Sequence, residues 1–268
     1  MRFLKIFLWS NIPIALDAAS WTGLTYKVLQ TKPDLMMIAL SFCFTWLFYT
    51  LDRVNFHASD LINNPERTNW YVAQTYLKTL MWCVAASILI FFVLYPVLIV
   101  PIFIAGVPCV LYAKKIKING NMYSLKALPG MKVIIVACLW VVLTVIFPVL
   151  VLKMYGLKPA ITNLCLMIGC FVMLQINTND LRDIEGDAQE GVKSIAVLLG
   201  DKNARLFGLL LIALGVLFGW NLFNHLSLFI FSFFLIIRTL YYKKETDIYW
   251  QLPISIQGLI AYWILIPV

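Results

Sequence analysis

Residues 179–200 read NDLRDIEGDAQEGVKSIAVLLG. Five of the chain's 13 acidic residues fall inside this stretch: Asp180, Asp183, Glu185, Asp187 and Glu190. The rest of the 268-residue chain is of another character. It is 62% hydrophobic and only 13% charged overall, against roughly 25% charged in an average soluble domain. Mean hydropathy is +0.87. Such a composition describes an integral membrane protein. A carboxylate cluster inside one has to be stabilised by something, and that need frames every later reading.

Outward from this stretch the chain is a series of apolar runs. A membrane-spanning helix needs about 20 mostly apolar residues, fewer when short or tilted. Nine runs fit, at 8–29, 34–55, 74–95, 96–113, 130–151, 159–178, 204–223, 226–242 and 249–267. The third and fourth meet at "LYPVLIVP", where Pro96 and Pro101 mark a break. The first run follows Arg2 and Lys5 as a signal peptide would. Ser10, Asn11 and Asp17 interrupt it, so it reads as a retained span. No linker or obvious repeat divides the chain, and residues 1–268 read as a single transmembrane domain of the all-α class.

Lysine and arginine are distributed unevenly about these spans. With the N-terminus on one side, 17 of the 21 fall on that side, leaving only Lys27, Lys32, Lys153 and Lys158 on the other. The positive-inside rule makes the first side cytoplasmic. The long polar segments near 56–73, 114–129 and 179–203 would then share the cytoplasmic face as loops. The net charge of +8 is explained by these lysine-rich loops facing anionic lipid, not by nucleic acid. No protein partner is evident. The six cysteines sit singly in apolar runs, without C-x-x-C spacing, and read as small buried side chains.

Within the acidic stretch, Asp180, Asp183 and Asp187 have the spacing i, i+3, i+7. On a helix they share a stripe about 60° wide, with Glu185 on another side. Three neighbouring carboxylates repel one another unless a cation stands among them. Mg²⁺ takes oxygen ligands only, commonly one or two carboxylates plus substrate phosphate oxygens. The stripe therefore reads as a cradle for a magnesium–diphosphate complex. A solvated acidic turn is the plainer alternative. Against it, the stretch abuts a span and runs counter to the basic trend of its own side. Lys193 and Ser194 also follow closely, as a phosphate partner would.

The same stretch resembles the second Asp-rich motif of the UbiA superfamily of intramembrane prenyltransferases. That pattern is D-x-x-D-x-x-x-D, a Gly-Lys-Arg/Ser-rich turn, then an apolar segment ending in Leu-Gly. Asp180, Asp183, Asp187, Lys193 and Gly200 match it in order and spacing. The resemblance implies a bundle of about nine transmembrane helices with its polar loops on the cytoplasmic side. The family's first motif, N-D-x-x-D-x-x-x-D, belongs at the end of span 2, where the sequence is WLFYTLDRVNFHASDLINNPER. Asp52 stands for the motif's second Asp. Phe48 and Tyr49 replace the preceding Asn-Asp, and Phe56 replaces the last Asp. Asn55 and Asp60 are candidate substitutes. Arg53 and Arg67 supply cations able to hold phosphate oxygens directly. Asp52–Arg53 also reads as an ion pair at a helix end.

In the loop after span 4 the family carries a Tyr and a basic residue that hold diphosphate. Tyr112 with Lys115 or Lys117 are the nearest analogues, among lysines (Lys114, Lys126 and Lys132 included) that mostly serve orientation. Asn11, Asp17, Asn163, Gln175 and Asn177 are polar residues within apolar runs. An intramembrane carboxylate such as Asp17 is costly and points to a cavity or a buried partner. Asn177 lies within about a turn of Asp180 and is placed on the same cavity. For Asn163 and Gln175 an interhelical hydrogen bond is the expectation.

The resemblance implies Mg²⁺-dependent transfer of a prenyl group from a prenyl diphosphate to an acceptor, such as an aromatic ring or quinone precursor, within the bilayer. Asp52, Asp180, Asp183 and Asp187 would be the catalytic and metal-binding carboxylates. Asn11, Asp17, Tyr49, Arg53, Arg67, Tyr112, Lys115, Lys117, Asn177 and Lys193 would contact substrate. The altered first motif leaves open a terpene cyclase or diphosphate-cleaving enzyme on the same fold. A membrane protein that binds an isoprenoid without turnover is a further alternative.

Overall fold

The computed structural model describes residues 2–54, 63–104, 107, 116–118, 121–123, 125, 128–154, 156, 158–242 and 247–268. Its helices are α1 (Arg2–Trp9), α2 (Ile12–Val28), α3 (Leu35–Val54), α4 (Pro65–Ala73), α5 (Tyr76–Leu94), α6 (Met131–Val151), α7 (Pro159–Gln189), α8 (Ile195–Gly219), α9 (His225–Tyr241), α10 (Asp247–Ser255) and α11 (Gln257–Ile264). A small antiparallel hairpin, β1 (Ile116–Ile118) and β2 (Asn121–Tyr123), pairs Lys117 with Met122. It is the one sheet among the described residues. Helices α3, α5, α6, α7 and α8 are long and apolar enough to cross a membrane.

Local chemistry explains where the helices start. Asp34 Oδ1 accepts from Met36 N at 2.9 Å and so opens α3. Asn224 accepts from Leu226 N at 3.0 Å to open α9, and Ser194 accepts from Val197 N at 3.4 Å to open α8. Pro65 and Pro159 stand at the first positions of α4 and α7, where no N–H is needed. Inside α6, Pro148 has no N–H for the Thr144 carbonyl four residues back, and the helix loosens into a π-turn over Val142–Ile146. The freed Thr144 carbonyl accepts instead from Thr25 Oγ1 of α2 at 2.8 Å.

The helices define two ends of the bundle. Lys27 Nζ donates to Tyr262 O at 2.6 Å, and Val268 N donates to Leu222 O at 3.1 Å. These contacts gather the end of α2, the α8–α9 turn and the C-terminus at one end. The N-terminus, the end of α3 and the α7–α8 turn lie at the other. The core between them is built on Trp21, Phe171, Phe231 and Leu164, each essentially without exposed surface. Gly215 faces Phe171, and Gly258 faces Trp21. A Cβ at either glycine would collide with the ring, so these glycines set the helix spacing.

Four expectations about elements are corrected. The first span, placed at 8–29, is broken: Asn11 adopts a left-handed backbone (φ 59°), and α1 and α2 are separate helices. Pro13 in the first turn of α2 is the local reason. The expected loop at 56–73 holds helix α4 over Pro65–Ala73. The expected loop at 179–203 is mostly helix, because α7 runs on to Gln189 and α8 starts at Ile195. Nothing in 179–189 forces a stop; the chain turns at Gly191, which has φ 72°. Finally, the ninth span divides at Ile256 into α10 and α11. The expected fourth span begins with a tight turn at Pro96–Leu98, and its second half lies largely outside the described residues.

The division of the ninth span is held by buried polar groups. Asp17, with no exposed surface, accepts from Gly258 N through Oδ1 and from Gln175 Nε2 through Oδ2 at 2.9 Å. Gly258 is in the first turn of α11, so Asp17 of α2 caps that helix from a neighbouring one. Gln175 Nε2 also donates to Ile254 O at 2.5 Å, on the other side of the break. Arg238 donates to Gln257 Oε1 at 2.6 Å, and Gln257 Nε2 donates to Phe171 O at 2.9 Å. Buried polar groups without such partners would each cost about 1–3 kcal/mol.

Candidate active site

The N-terminal end of the bundle encloses a cleft of about 170 Å³. Helices α1, α2, α3, α4, α6, α7 and α10 all contribute side chains to it. α7 supplies the acidic stripe. This helix has 31 residues, about 46 Å at 1.5 Å per residue, and so outruns a hydrocarbon core of roughly 30 Å. Its last three turns carry Asp180, Asp183 and Asp187, and all three line the cleft. Glu185 is exposed on another side of the helix. The helical spacing read from the sequence thus brings the three carboxylates to one surface.

Two cations stand among them. Lys132, in the first turn of α6, places Nζ 2.7 Å from Asp180 Oδ1 and 2.8 Å from Asp187 Oδ2. Arg182 holds Asp183 in a two-pronged pair, with Nε to Oδ1 at 2.7 Å and Nη2 to Oδ2 at 2.9 Å. The second oxygen of Asp180, Oδ2, is buried and has no hydrogen-bond partner among the described residues. Across the cleft stand Asp52 and Arg53 at the end of α3, and Arg67 on α4. With Glu190, five carboxylates and four cationic side chains line the cleft among the described residues. Buried charges of one sign repel strongly where water is scarce, and this mixture keeps the cleft near neutrality.

Backbone ties fix these elements against each other. Gly130 N donates to Lys193 O at 3.0 Å, joining the start of α6 to the α7–α8 turn. Asn63 Oδ1 accepts from Gly186 N at 3.1 Å, joining the approach to α4 to α7. Asn11 Nδ2 donates to Tyr71 OH at 2.7 Å and to Thr50 Oγ1 at 3.3 Å. Tyr71 OH in turn donates to Trp9 O. These bonds hold α1, and with it Leu8 and Trp9, over one flank of the cleft.

A smaller apolar chamber of about 30 Å³ adjoins the cleft. The two share Phe48, Tyr49 and Val136, and Trp140, Leu143 and Phe147 continue the chamber's wall. Phe48 meets Tyr49 edge-on at 5.7 Å, and Tyr49 meets Trp140 edge-on at 6.5 Å. The site therefore has a charged end and an apolar end. Phe48 and Tyr49, the residues that depart from the expected Asn-Asp, form the boundary.

Of the residues singled out in the sequence, Asn11, Tyr49, Asp52, Arg53, Arg67, Asp180, Asp183 and Asp187 line the cleft. Three do not. Asp17 is committed to the α11 cap. Asn177 is turned to the α7–α8 contact, where Nδ2 donates to Ala204 O at 2.8 Å. Lys193 has an exposed side chain and contributes its carbonyl to Gly130. Asn177 fails because three residues fall about 60° short of a full turn, and that offset turns its side chain onto α8. Tyr112, Lys115, Asn55 and Asp60 lie outside the described residues, and Lys117 is in β1 with its side chain outside the description.

Sequence reading passed over Lys132, Arg182, Asn63, Gln251 and Ser255, which also line the cleft. Lys132 was grouped with orientation lysines. Its position at the start of an apolar run, beyond a Pro-Gly pair, was the available signal. Arg182 sits inside the acidic motif but off its stripe, and only a long side chain folding back along the helix reaches Asp183. Gln251 and Ser255 belong to the broken ninth span and carried no signal. Among the described residues no group of three Asp, Glu, His or Cys side chains is assembled to hold a metal ion. The Asp180–Asp187 pair bridged by Lys132 is the closest approach to one.

Compared with known proteins, residues 71–251 match the model of the UbiA prenyltransferase family. Neither the curated proteins nor the solved structures return a match.

Proposed function

Because the chain belongs to the UbiA prenyltransferase family, we propose that it transfers a prenyl group from a prenyl diphosphate to an acceptor inside the membrane. One observation carries this reading: a charged cleft with carboxylates and guanidinium groups adjoins an apolar chamber, the two sharing Phe48, Tyr49 and Val136. A prenyl diphosphate has the same division into a polyanionic head and a hydrocarbon tail.

The donor chemistry suits magnesium. Its ligands are oxygens, and one or two carboxylates complete a site when substrate phosphate supplies the rest. Asp180 and Asp187 would hold it, with Asp52 and Asp183 on the same cleft. Lys132 leaves Asp180 half satisfied, since Oδ2 has no partner among the described residues, and an ion held between the pair would make good that deficit. Bound there, the metal supplies charge neutralisation for the departing diphosphate.

The chain's own groups do the remaining work. Arg53 and Arg67 offer planar, permanently charged forks to the phosphate oxygens. Both line the cleft with Asp52, across from the carboxylates of α7. The chamber walls keep water from the allylic carbon as its C–O bond ionises. The ring faces of Tyr49, Phe48 and Trp140 stabilise the positive charge left on the prenyl group. The acceptor attacks that carbon, its displaced proton passes to the diphosphate already released by C–O cleavage, and the protonated diphosphate leaves.

The test uses the purified protein in lipid nanodiscs with Mg²⁺ and prenyl diphosphates of several lengths, with and without aromatic acceptors. Diphosphate release and product mass are followed. Turnover should require divalent metal, and Asp180→Asn should lower it at least about 100-fold, the scale on which one preorganised charge-stabilising group acts. Unchanged turnover in that variant would sink the proposal, and tight binding without turnover would assign an isoprenoid-binding protein instead. The aromatic replacement Phe48-Tyr49 favours a second reading, cyclisation or diphosphate cleavage without an acceptor. A product formed from prenyl diphosphate alone would select it.

A further inference from the structure

Lys132 is in an electrostatically awkward place. It lies in the first turn of α6, where the positive end of the helix dipole disfavours a cation. Two carboxylates hold it there, Asp180 at 2.7 Å and Asp187 at 2.8 Å. Both belong to α7, and neither has much access to water: the side chains are 2% and 10% exposed. The ammonium takes one oxygen of each, Asp180 Oδ1 and Asp187 Oδ2, and with them the space that a divalent ion held by this pair would need. One position cannot hold both cations.

The surrounding backbone is pinned. Gly130 N is bonded to Lys193 O at 3.0 Å, and Val192 N to Asp187 O at 2.8 Å. Both carboxylates leave the same helix about two turns apart, so α7 sets the spacing of their backbones. The lysine side chain is a flexible four-carbon stem with three rotatable donors, able to swing without a backbone shift. It lines the same cleft as Arg53 and Arg67, which face the proposed diphosphate position.

We infer that Lys132 is a resident counter-cation that competes with the metal for the Asp180–Asp187 pair and transfers to the diphosphate when the metal–diphosphate complex binds. This rests on the function proposed above. Its consequence is coupling between the two ligands. A metal arriving alone strands the displaced ammonium in a confined place. A metal arriving with diphosphate supplies that ammonium with new anionic partners. Metal and diphosphate therefore promote each other's binding, and linkage makes the effect reciprocal.

Binding is measured on full-length protein in nanodiscs, by calorimetry and by the electron paramagnetic resonance signal of Mn²⁺. The probes are Mn²⁺ alone and the preformed Mn²⁺–diphosphate complex. Lys132→Met should bind Mn²⁺ alone at least tenfold more tightly than the parent protein, and the complex more weakly. Lys132→Arg, which keeps the charge, should resemble the parent with Mn²⁺ alone. If Lys132→Met does not fold, Lys132→Gln makes the same comparison. Equal or weaker Mn²⁺ binding in the neutral variant overturns the role of Lys132 while leaving the proposed function standing. Absence of Mn²⁺–diphosphate binding in every protein, the parent included, overturns both.

Discussion

Gly186 shows how much one position can matter. Its N–H donates to Asn63 Oδ1 at 3.1 Å, and an added Cβ would fall on the Asn63 side chain. Gly186→Ala gains roughly 1 kcal/mol in helix propensity, while the overpacking costs about 1–3 kcal/mol. Thermal stability should therefore move little, whereas Asn63 is pushed from the cleft and turnover falls several-fold. A double-mutant cycle checks the cause: Asn63→Ala with Gly186→Ala should be no less active than Asn63→Ala alone. Additive losses would refute it. The same local logic separates the three aspartates of α7. Their i, i+3, i+7 spacing is a property of the sequence alone. Their partners are not, because Lys132 comes from 48 positions before Asp180 and only folding brings it there.

Among the elements, the divided ninth span is the most informative. α10 contributes Gln251 and Ser255 to the cleft, and α11 starts at Gln257 beneath them. Asp17 joins the two by capping α11 and engaging Gln175, which also binds Ile254 O. Removing this carboxylate leaves the buried Gly258 N–H without its acceptor and takes away one of the two acceptors of Gln175 Nε2. Asp17→Ala should destabilise the protein by about 1–3 kcal/mol, the cost of leaving a buried donor without its partner. Asp17→Asn keeps an acceptor for Gly258 N and should cost clearly less. Thermal unfolding in a single detergent orders the variants, and equal losses would exclude the capping role. The intramembrane carboxylate was conspicuous in the sequence, but its task was not legible. Gly258 and Gln175 are 241 and 158 residues away from it.

The molecule as a whole has its N-terminal end at the cleft and its C-terminus at the opposite end, beside Leu222. Taken with the excess of lysine and arginine on the N-terminal side, this predicts termini on opposite faces of the membrane. In a cysteine-free background, a cysteine at Phe3 should react with a membrane-impermeant maleimide from the cytoplasm only. One at Val268 should react only from outside. Labelling of both from one face would require an even number of crossings. Hydropathy reads the number of apolar runs better than their internal form. It cannot see the breaks at Asn11 and Ile256, because a broken span stays apolar on both sides of the break.

Some of this protein is decided by composition and spacing, which are local properties. An apolar chain must satisfy its backbone within itself, so it forms membrane helices. Carboxylates three and four residues apart must share a helix face. Lysines that stay out of the bilayer must mark one side of it. The tertiary structure decided which charges neutralise which. It gave Lys132 to Asp180 and Asp187, Arg182 to Asp183, and Asp17 to the first turn of α11. It also set the charged cleft against an apolar chamber. The reason is range: buried ion pairs and caps join groups far apart in the chain, and a sequence records neither their distance nor their direction.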